Sequence, residues 1–482
     1  MNHKMIRYIV GMFLRAEAAF LALPIVICLF SGDFEDIPPF LLSIALTLIT
    51  AFLLGVKKPE NDVIFSRESF ISVSLGWILL SLFGALPFYI SGVIPNIADC
   101  IFETVSGFTT TGATILNTVE NLPKSILFWR AFTHWIGGMG VLVFLFMLTQ
   151  ISEGNAMYIM RAEVPGPSVG KLAPRMRSNS LILYGIYTAM TVIEAMALAV
   201  EGMPMFDAVT TAMSTAGTGG FSVRDAGIAA YGSPAIEWTV AAFMMLFGVN
   251  FNLYYLILFR RIRQVLASEE LKVFLGLIAV ASIIIGINVV GYYSGFGEAI
   301  RKAFFQVTST VSTTGFSNVE FMKWPALSRA VILVLLFTGA CAGSTAGGIK
   351  LSRIIIMAKV VYRSIHQLAH PHEVACIKFE GKIVDRETRS FVCTYMTTFF
   401  VILFISTFAL MFQGHDFETS FSAILSCFNN VGPALGLVGH SGNYNIFNDG
   451  TKLFMSLIML VGRLEIFPML ILFMPSTWEK HS

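Results

Sequence analysis

The stretch FETVSGFTTTGAT, at residues 102–114, recurs in altered form at three later places in this 482-residue chain. Its counterparts are TTAMSTAGTGGFS at 210–222, FQVTSTVSTTGFS at 305–317 and SAILSCFNNVGPA at 422–434. All four carry a serine six positions before the glycine on which they align: Gly112, Gly220, Gly315 and Gly432. Similarity that returns after about 100 residues indicates internal duplication. The fold is therefore expected to contain four copies of one unit.

The composition places these copies in a membrane. Hydrophobic residues make up 55% of the chain and charged residues only 13%, whereas a typical soluble domain is about 25% charged. The net charge of +2 argues against nucleic acid as a partner, because no segment is basic enough to follow a phosphate backbone. The six cysteines show no metal-binding spacing and are interpreted as small apolar side chains.

Ten stretches are apolar over roughly the 20 residues that a membrane helix needs. They are residues 8–31, 39–56, 70–93, 127–151, 181–201, 233–258, 273–294, 327–360, 390–413 and 451–475. The first lacks a clear cleavage site and is interpreted as a retained helix. Lys and Arg favour cytoplasmic connections. With a cytoplasmic N-terminus, sixteen of them lie in the inside connections and five in the outside ones, so this orientation is predicted.

Each repeated stretch lies between two spans on the outside, and is too short to cross the bilayer. It is expected to form a re-entrant helix followed by a glycine turn. Non-helical backbone at membrane depth is tolerated only where it is buried or lines a cavity, and rings of carbonyl oxygens can replace the hydration shell of a cation. The alternative is that these small residues mark ordinary close packing of membrane helices. Four matched positions favour a cation pore.

A second feature is the run GACAGSTAGG at 339–348, in the middle of the eighth stretch. Such small residues hold a helix poorly, because each glycine costs about 1 kcal/mol relative to alanine. The run predicts a broken helix whose loop lies in the conduction path below the repeated turns. The alternative is a kink at a tight helix crossing. Its candidate gate residues are Gly339, Gly343, Gly347 and Gly348.

Arg463 is the other candidate gate residue, because it lies inside the last apolar stretch. A charge at membrane depth costs about 2.5–3.5 kcal/mol even on insertion scales, so such a residue usually faces a cavity. We expect Arg463 near the broken helix, where its positive charge limits cation flux. The alternative is a buried arginine that pairs with backbone carbonyls or with Glu465, although residues two apart do not share a helix face.

Acidic residues lie at or near the starts of the re-entrant helices: Asp99, Glu103, Asp207, Glu298 and Glu418. They either stabilise the helix N-termini or concentrate cations at the outer mouth, and the first role is favoured. The histidines at 366, 370 and 372 are interpreted as a solvated surface rather than a metal site.

The four turns, the run HWIGGMG at 134–140 and the run GACAGSTAGGIK at 339–350 resemble the Trk/Ktr/HKT superfamily of cation transporters. Two extra leading spans and the run RAEVPGP at 161–167 are similar to the bacterial TrkH/TrkG branch. The resemblance covers nearly the whole chain. It implies a potassium-conducting subunit in the bacterial cytoplasmic membrane, with potassium as substrate and the run at 339–348 as an intramembrane gating loop.

The resemblance also implies the residues of a selectivity filter. Carried over by position, they are Thr110, Thr111, Gly112, Thr218, Gly219, Gly220, Thr313, Thr314, Gly315, Asn430, Val431 and Gly432. In plant relatives a serine at the first glycine position accompanies sodium transport, whereas this chain has glycine there. The fourth repeat departs most from the pattern, with Asn430 and Pro433 in place of Thr and Phe.

The partners implied by the resemblance are a second copy of the chain, as a homodimer, and a cytoplasmic nucleotide-binding regulatory subunit of the TrkA type. No nucleotide motif is visible in this chain, so nucleotide control is expected to come through that partner. Surrounding lipid is the other expected partner, and no bound cofactor is expected.

The predicted fold is an all-α polytopic membrane protein with two leading transmembrane helices and four span–pore helix–span repeats around one ion pore. The expected divisions are residues 1–69 for the leading helices, then 70–180, 181–272, 273–388 and 389–482 for the repeats. The main rival function is a secondary transporter that works by alternating access. An intramembrane enzyme is disfavoured, because no HExxH motif, paired intramembrane Asp or Ser–His arrangement is present.

Overall fold

The computed structural model describes residues 1–55, 57–61, 64–140, 176–371, 376–439 and 442–479. Three features of the sequence analysis lie outside the described residues: the run at 161–167, the end of the predicted span 127–151 beyond residue 140, and His372. Several of the predicted inside charges also fall there, namely Arg161, Lys171 and Arg175.

The described residues form helices and one small hairpin. The first repeat and the segments before it contain α1 His3–Phe20, α2 Ala22–Ser31, α3 Ile37–Leu54, α4 Ser66–Gly84, α5 Leu86–Ile90, α6 Ile97–Phe108 and α7 Lys124–Met139. The second and third repeats contain α8 Met176–Val200, α9 Met205–Ala216, α10 Pro234–Phe247, α11 Phe251–Leu258, α12 Ile262–Ala267, α13 Glu269–Val289, α14 Phe296–Val311, α15 Ala326–Leu336 and α16 Leu351–Ala369. The remainder comprises β1 Lys378–Phe379, β2 Lys382–Ile383, α17 Arg386–Met411, α18 Phe417–Asn429, α19 Asp449–Arg463 and α20 Phe467–Phe473.

Six of these helical stretches are long and apolar enough to cross a bilayer. They are His3–Ser31, Phe34–Leu54, Ser66–Ile90, Ser180–Val200, Glu269–Tyr292 and Arg386–Met411. The prediction of an all-α polytopic membrane protein is confirmed, apart from the antiparallel pair β1–β2.

The four predicted re-entrant helices are α6, α9, α14 and α18, and each is largely buried. The leading helices share one apolar core with the first and fourth repeats, which includes Phe13, Phe40, Trp129 and Phe428. The third repeat has a second core around Phe274. The re-entrant helices are therefore held on all sides by packed side chains rather than by their own length.

The predicted span 233–258 is sharply bent rather than a single straight helix. Residues 233–258 form α10 and α11, which meet at 92°. Gly248 lies at the bend, where a Cβ atom would come within 2.8 Å of Phe274 and 3.3 Å of Ala340. The bend thus makes room for the segment that contains Ala340, and Asn250 starts the second helix by accepting from the Asn252 N–H at 2.9 Å.

The last predicted span, 451–475, breaks directly after Arg463. Glu465 and Ile466 adopt left-handed backbone angles, with φ of 57° and 66°, which side chains with a Cβ rarely accept. Arg463 therefore lies at the C-terminal end of α19 and not within a continuous helix. The predicted interruption of the eighth stretch is present: α15 ends at Leu336 and α16 begins at Leu351.

Candidate functional site

Each re-entrant helix is followed by a turn with the same backbone. The first of its three residues is left-handed in all four copies, with φ of 55° at Thr110, 55° at Thr218, 58° at Thr313 and 55° at Asn430. The third residue is a glycine with φ of 76°, 79°, 81° and 93° in chain order. Two left-handed residues within three positions prevent the chain from continuing as a helix or a strand. The repeats recognised in the sequence are thus repeats of backbone geometry.

The four turns close into a ring around one axis. A Cβ atom on Gly112 would overlap the carbonyl oxygen of Gly219, and one on Gly220 would overlap that of Thr314. In the same way Gly315 lies against the carbonyl of Val431, and Gly432 lies against that of Thr111. Each glycine therefore contacts the middle residue of the next turn, and the fourth returns to the first. All twelve predicted filter residues belong to these turns.

The ring brings together four carbonyl groups, one from each repeat, at the level of the middle residues. The re-entrant helices end one residue before the turn or next to it, so their partly negative C-terminal ends point towards it. A cavity of about 180 Å³, which we call the vestibule, lies on one side of the ring, lined by the four glycines, Tyr444 and neighbouring residues. The arrangement suits a dehydrated cation that enters from this vestibule.

The serines that align the four repeats have a role in two of them. Ser309 Oγ donates to the carbonyl of Phe316 at 2.5 Å, and Ser426 Oγ donates to that of Pro433 at 3.0 Å. Both bonds join the re-entrant helix to the residue that follows the turn glycine. In the described part of the chain, Ser106 and Ser214 have no such partner.

The fourth wall of the ring differs from the others, as its sequence suggests. Asn430 Nδ2 donates to Thr111 Oγ1 and to the carbonyl of Met459, both at 3.0 Å. The Tyr444 hydroxyl donates to the carbonyl of Gly432 at 2.8 Å, and the Tyr444 N–H donates to the carbonyl of Thr114 at 2.9 Å. Asparagine also tolerates the left-handed conformation better than threonine. Two side chains thus fix a wall that lacks the threonines of the others.

The acidic residues near the re-entrant helices serve neither predicted role uniformly. Glu103 is buried and binds Arg130 at 2.8 Å, and it also accepts from the Ile115 N–H at 3.1 Å just beyond the turn. Asp99 binds Lys452 at 2.5 Å. Glu298 accepts from the N–H of Ser294 at 3.1 Å, in the manner of a cap. Most of these carboxylates therefore form ion pairs or hydrogen bonds within the protein and are not free to bind cations.

Asp207, at the start of α9, is also bound by two neighbouring side chains. It accepts from Arg224 at 3.0 Å and from the Tyr231 hydroxyl at 2.8 Å. Burial of the phenol, together with its hydrogen bond to the carboxylate, raises the pKa of Tyr231. Tyr231 therefore remains a donor at all physiological pH values, and together with Asp207 it fixes Arg224, which lines the vestibule.

The loop between α15 and α16, residues 337–350, lies against the side of the ring that faces away from the vestibule. We call it the gate loop. The Gly347 N–H donates to Thr313 Oγ1 at 2.9 Å, and a Cβ on Gly347 would come within 2.7 Å of Asn430 Cβ. Gly348, with φ of 68°, packs against Asn429. The gate loop therefore contacts the third and fourth walls of the ring directly, which only glycine permits at this closeness.

The other two glycines position the ends and middle of the gate loop. The Gly339 N–H donates to the carbonyl of Ile349 at 2.6 Å, which closes the base of the loop. The carbonyl of Gly343 accepts from the Phe251 N–H at 3.0 Å, so the loop is joined to the bend between α10 and α11. The side chain of Lys350 donates to the carbonyl of Ala346 within the loop.

Arg463 lies beside the gate loop, as expected from the sequence, and it also pairs with backbone carbonyls, as the alternative stated. Its guanidinium donates to the carbonyl of Thr345 at 3.0 Å, and to those of Gly137 at 2.5 Å and Gly138 at 3.0 Å. The predicted absence of a pair with Glu465 also agrees with the structure. Glu465 binds Arg353 instead, at 2.5 Å. Arg463 thus joins the gate loop to the end of α7.

Several residues that position the ring or the gate loop were not identified from the sequence. The Nδ1–H of His134 donates to the carbonyl of Gly107, 2.7 Å away, and the imidazole ring fills the space beside Gly219. It stands in the quoted run HWIGGMG, which is the only sequence signal for it. Tyr444, Arg353 and Glu270 carry no local pattern, because each acts on a segment remote in the chain.

Known proteins are similar to this chain over nearly its whole length. A family model described as "TrkH: Cation transport protein" matches residues 37–480. The Trk system potassium uptake protein TrkH of Salmonella typhimurium is 35% identical over 439 residues, which cover 90% of each chain. Its namesake from Halomonas elongata is 33% identical over 488 residues, covering 100% of each.

A solved structure agrees with these sequence matches. The crystal structure of the potassium transporter TrkH from Vibrio parahaemolyticus superposes with a TM-score of 0.89 at 30% identity, and covers 99% of this chain and 100% of that one. On the strength of the ring of four turns, the match over residues 37–480 and this superposition, the chain belongs to the TrkH family of cation transport proteins.

Proposed function

We propose that this chain takes up potassium ions across the bacterial cytoplasmic membrane, through a filter made of the four turns. The observation that carries the proposal is the closed ring in which each turn glycine contacts the next turn's carbonyl. Such a ring supplies carbonyl oxygens in place of water. The names of the relatives, which are potassium uptake proteins, support potassium as the ion.

In this proposal the gate loop and Arg463 control the flux. The gate loop lies directly under the ring, and Arg463 holds it through the carbonyl of Thr345. The guanidinium also adds a fixed positive charge below the filter, which raises the barrier for a cation. Opening requires the gate loop to leave the ring and the bonds of Arg463 to break.

The proposal includes the assembly expected from the sequence: a homodimer with a pore in each subunit, a cytoplasmic N-terminus, and a TrkA-type nucleotide-binding partner on the cytoplasmic side. The excess of Lys and Arg in the inside connections supports this orientation. Nucleotide acts only through the partner, and the chain itself has no enzymatic role.

The test is potassium and sodium flux into proteoliposomes that contain the purified protein or its Gly112→Ser variant. Serine at φ 76° and against the carbonyl of Gly219 strains the first wall by roughly 1–2 kcal/mol. We expect the ratio of potassium to sodium flux to fall about tenfold or more. Gly185→Ser is the matched control, because Gly185 has open space around it.

Two outcomes contradict the proposal. Equal selectivity in the parent and in Gly112→Ser would show that the turns do not form the filter. Uptake of a larger solute, with no passive cation flux even in Arg463→Ala, would favour the alternating-access transporter. Coupling of potassium to a proton or sodium gradient is measured in the same vesicles by imposing each gradient separately.

A further inference from the structure

We propose that Glu270 locks the gate loop in its blocking position, and that the cytoplasmic hairpin formed by β1 and β2 controls this lock. Glu270 is a positioning residue, since it acts through the gate loop and not on the ion. The inference rests on the proposed function, and it adds the route by which a signal from the cytoplasmic side reaches the pore.

The carboxylate of Glu270 binds both sides of the gate loop at once. One oxygen, Oε1, accepts from the Ala342 N–H at 2.8 Å and from the Ser352 N–H at 3.0 Å. Ala342 is in the first half of the gate loop and Ser352 is in the first turn of α16. Glu270 is 4% exposed, so water does not replace these bonds when the carboxylate is absent. A single buried side chain thus fixes the two ends of the segment that covers the ring.

A second carboxylate fixes the position of Glu270. Glu380 lies in the turn of the hairpin, and its Oε1 accepts from the Ser268 hydroxyl and from the Glu270 N–H, both at 2.9 Å. Both donors belong to the N-terminal end of α13, where a helix has unpaired N–H groups and favours negative charge. The hairpin therefore holds the end of α13 that carries the lock.

The hairpin is attached to this region through one face. Its flanking residues Ile377 and Val384 and its strand residue Phe379 are buried, and the carbonyl of Lys378 accepts from Lys359 Nζ at 2.7 Å. Ile383, in contrast, is 65% exposed, and Lys382 is also exposed. A partner can therefore hold the outer face while the inner face carries Glu380.

The contacts act in series, from hairpin to helix end to gate loop. A displacement of the hairpin withdraws Glu380 from Ser268 and from the Glu270 N–H. The end of α13 then loses its acceptor, and Glu270 moves away from Ala342 and Ser352. The gate loop keeps only its contacts with the ring, with Arg463 and with the bend between α10 and α11, so it leaves the ring more often.

The neighbouring Glu269 offers a matched control. It also begins α13, but its carboxylate binds Lys359 at 2.5 Å, and none of its described contacts is with the gate loop or the hairpin. Lys359 has its own hydrogen bond to the carbonyl of Lys378, which does not need Glu269. The three variants are therefore Glu270→Ala, Glu380→Ala and Glu269→Ala. Glu270→Gln keeps an oxygen acceptor at the same place and should restore most of the closure.

The first measurement is potassium flux into proteoliposomes that contain the full chain without any partner. We expect Glu270→Ala to raise the flux roughly fivefold or more, because it removes two buried hydrogen bonds of the series. Glu380→Ala should raise the flux by roughly twofold, because Glu380 is exposed and water can replace its carboxylate as acceptor. Glu269→Ala should remain near the parent. The double variant of Glu270 and Glu380 should not exceed the stronger single variant, since both act on one path. Additive increases would contradict the series.

The second measurement is amide hydrogen exchange of residues 339–352, which does not depend on transport. Faster exchange in Glu270→Ala and in Glu380→Ala, but not in Glu269→Ala, supports the lock. Unchanged exchange in both, with Arg463→Ala still raising flux, overturns the lock and leaves the proposed function intact. No cation flux in any variant, including Arg463→Ala, rejects the proposed function, while the exchange result still decides whether Glu270 and Glu380 hold the loop.

Discussion

The backbone N–H of Gly347 donates a hydrogen bond of 2.9 Å to the hydroxyl of Thr313. Gly347 belongs to the gate loop, and Thr313 begins the third turn of the ring. The ring and the gate loop are therefore in direct contact through the Thr313 side chain. A change at either one is expected to affect the other.

Thr313→Val tests this contact, because it removes the acceptor and keeps the side-chain shape. The loss of one hydrogen bond, about 0.5–1.5 kcal/mol, should raise basal potassium flux by roughly twofold to tenfold. Thr110→Val is the comparison, since the Thr110 hydroxyl has no partner in the described residues. Both variants replace the first threonine of a turn by valine. The difference between their fluxes therefore measures the contact between Thr313 and the gate loop. Equal fluxes would contradict it.

Arg463→Ala should raise basal cation flux at least about fivefold, because it removes a positive charge from the path and frees the carbonyl of Thr345. Arg463→Lys separates the two causes. Lysine keeps the charge but cannot bind three carbonyls through a planar fork. If the charge is the main barrier, the lysine variant stays near the parent in vesicle flux. If the hydrogen bonds to the carbonyls of Gly137 and Gly138 dominate, the flux of the lysine variant approaches that of the alanine variant.

Tyr444→Phe removes the hydroxyl that holds the carbonyl of Gly432. Without that bond the fourth wall loosens, and we expect the ratio of potassium to sodium flux to fall between twofold and tenfold. Tyr254→Phe is the control, because its hydroxyl binds a carbonyl outside the ring, that of Leu246, at 2.7 Å. Selectivity equal to the parent in Tyr444→Phe would show that the other contacts of this wall suffice.

Glu103→Gln should lower the free energy of unfolding by about 3–5 kcal/mol, since it leaves the charge of Arg130 buried and unpaired. Thermal unfolding in detergent measures the effect. Glu418→Gln serves as the exposed comparison. Its carboxylate is 49% exposed and lies 3.8 Å from Arg329, so its removal should cost no more than about 1 kcal/mol. Similar losses in both variants would contradict the structural role of the Glu103 pair.

The sequence predicted the parts of this fold that depend on local composition. Apolar length identified the six described helices that are long enough to cross a bilayer. The recurring glycines identified the four turns, because the close approach of the next turn's carbonyl leaves no room for a Cβ there. The small residues at 339–348 predicted the broken helix for a related reason. These patterns are visible in the sequence because the structure restricts the residue type at the position itself.

The sequence did not predict features that depend on contacts between distant segments. The bend at Gly248 exists because Ala340 packs there, which a hydropathy pattern cannot show. The break after Arg463 was missed because its left-handed residues, Glu465 and Ile466, are not glycines. The acidic residues were assigned by position along the helix, whereas their partners lie elsewhere in the chain, in the same repeat for Glu103 and Arg130 and in another repeat for Asp99 and Lys452.

The order of contacts in the ring has a consequence for synthesis of the chain. Gly112, Gly220 and Gly315 each lie against a turn made later, and only Gly432 lies against one made earlier. The first turn therefore stays open on one side until the fourth enters the membrane. Closure of the ring is thus the last step of its assembly, and a chain that stops before residue 432 has three walls and an open ring.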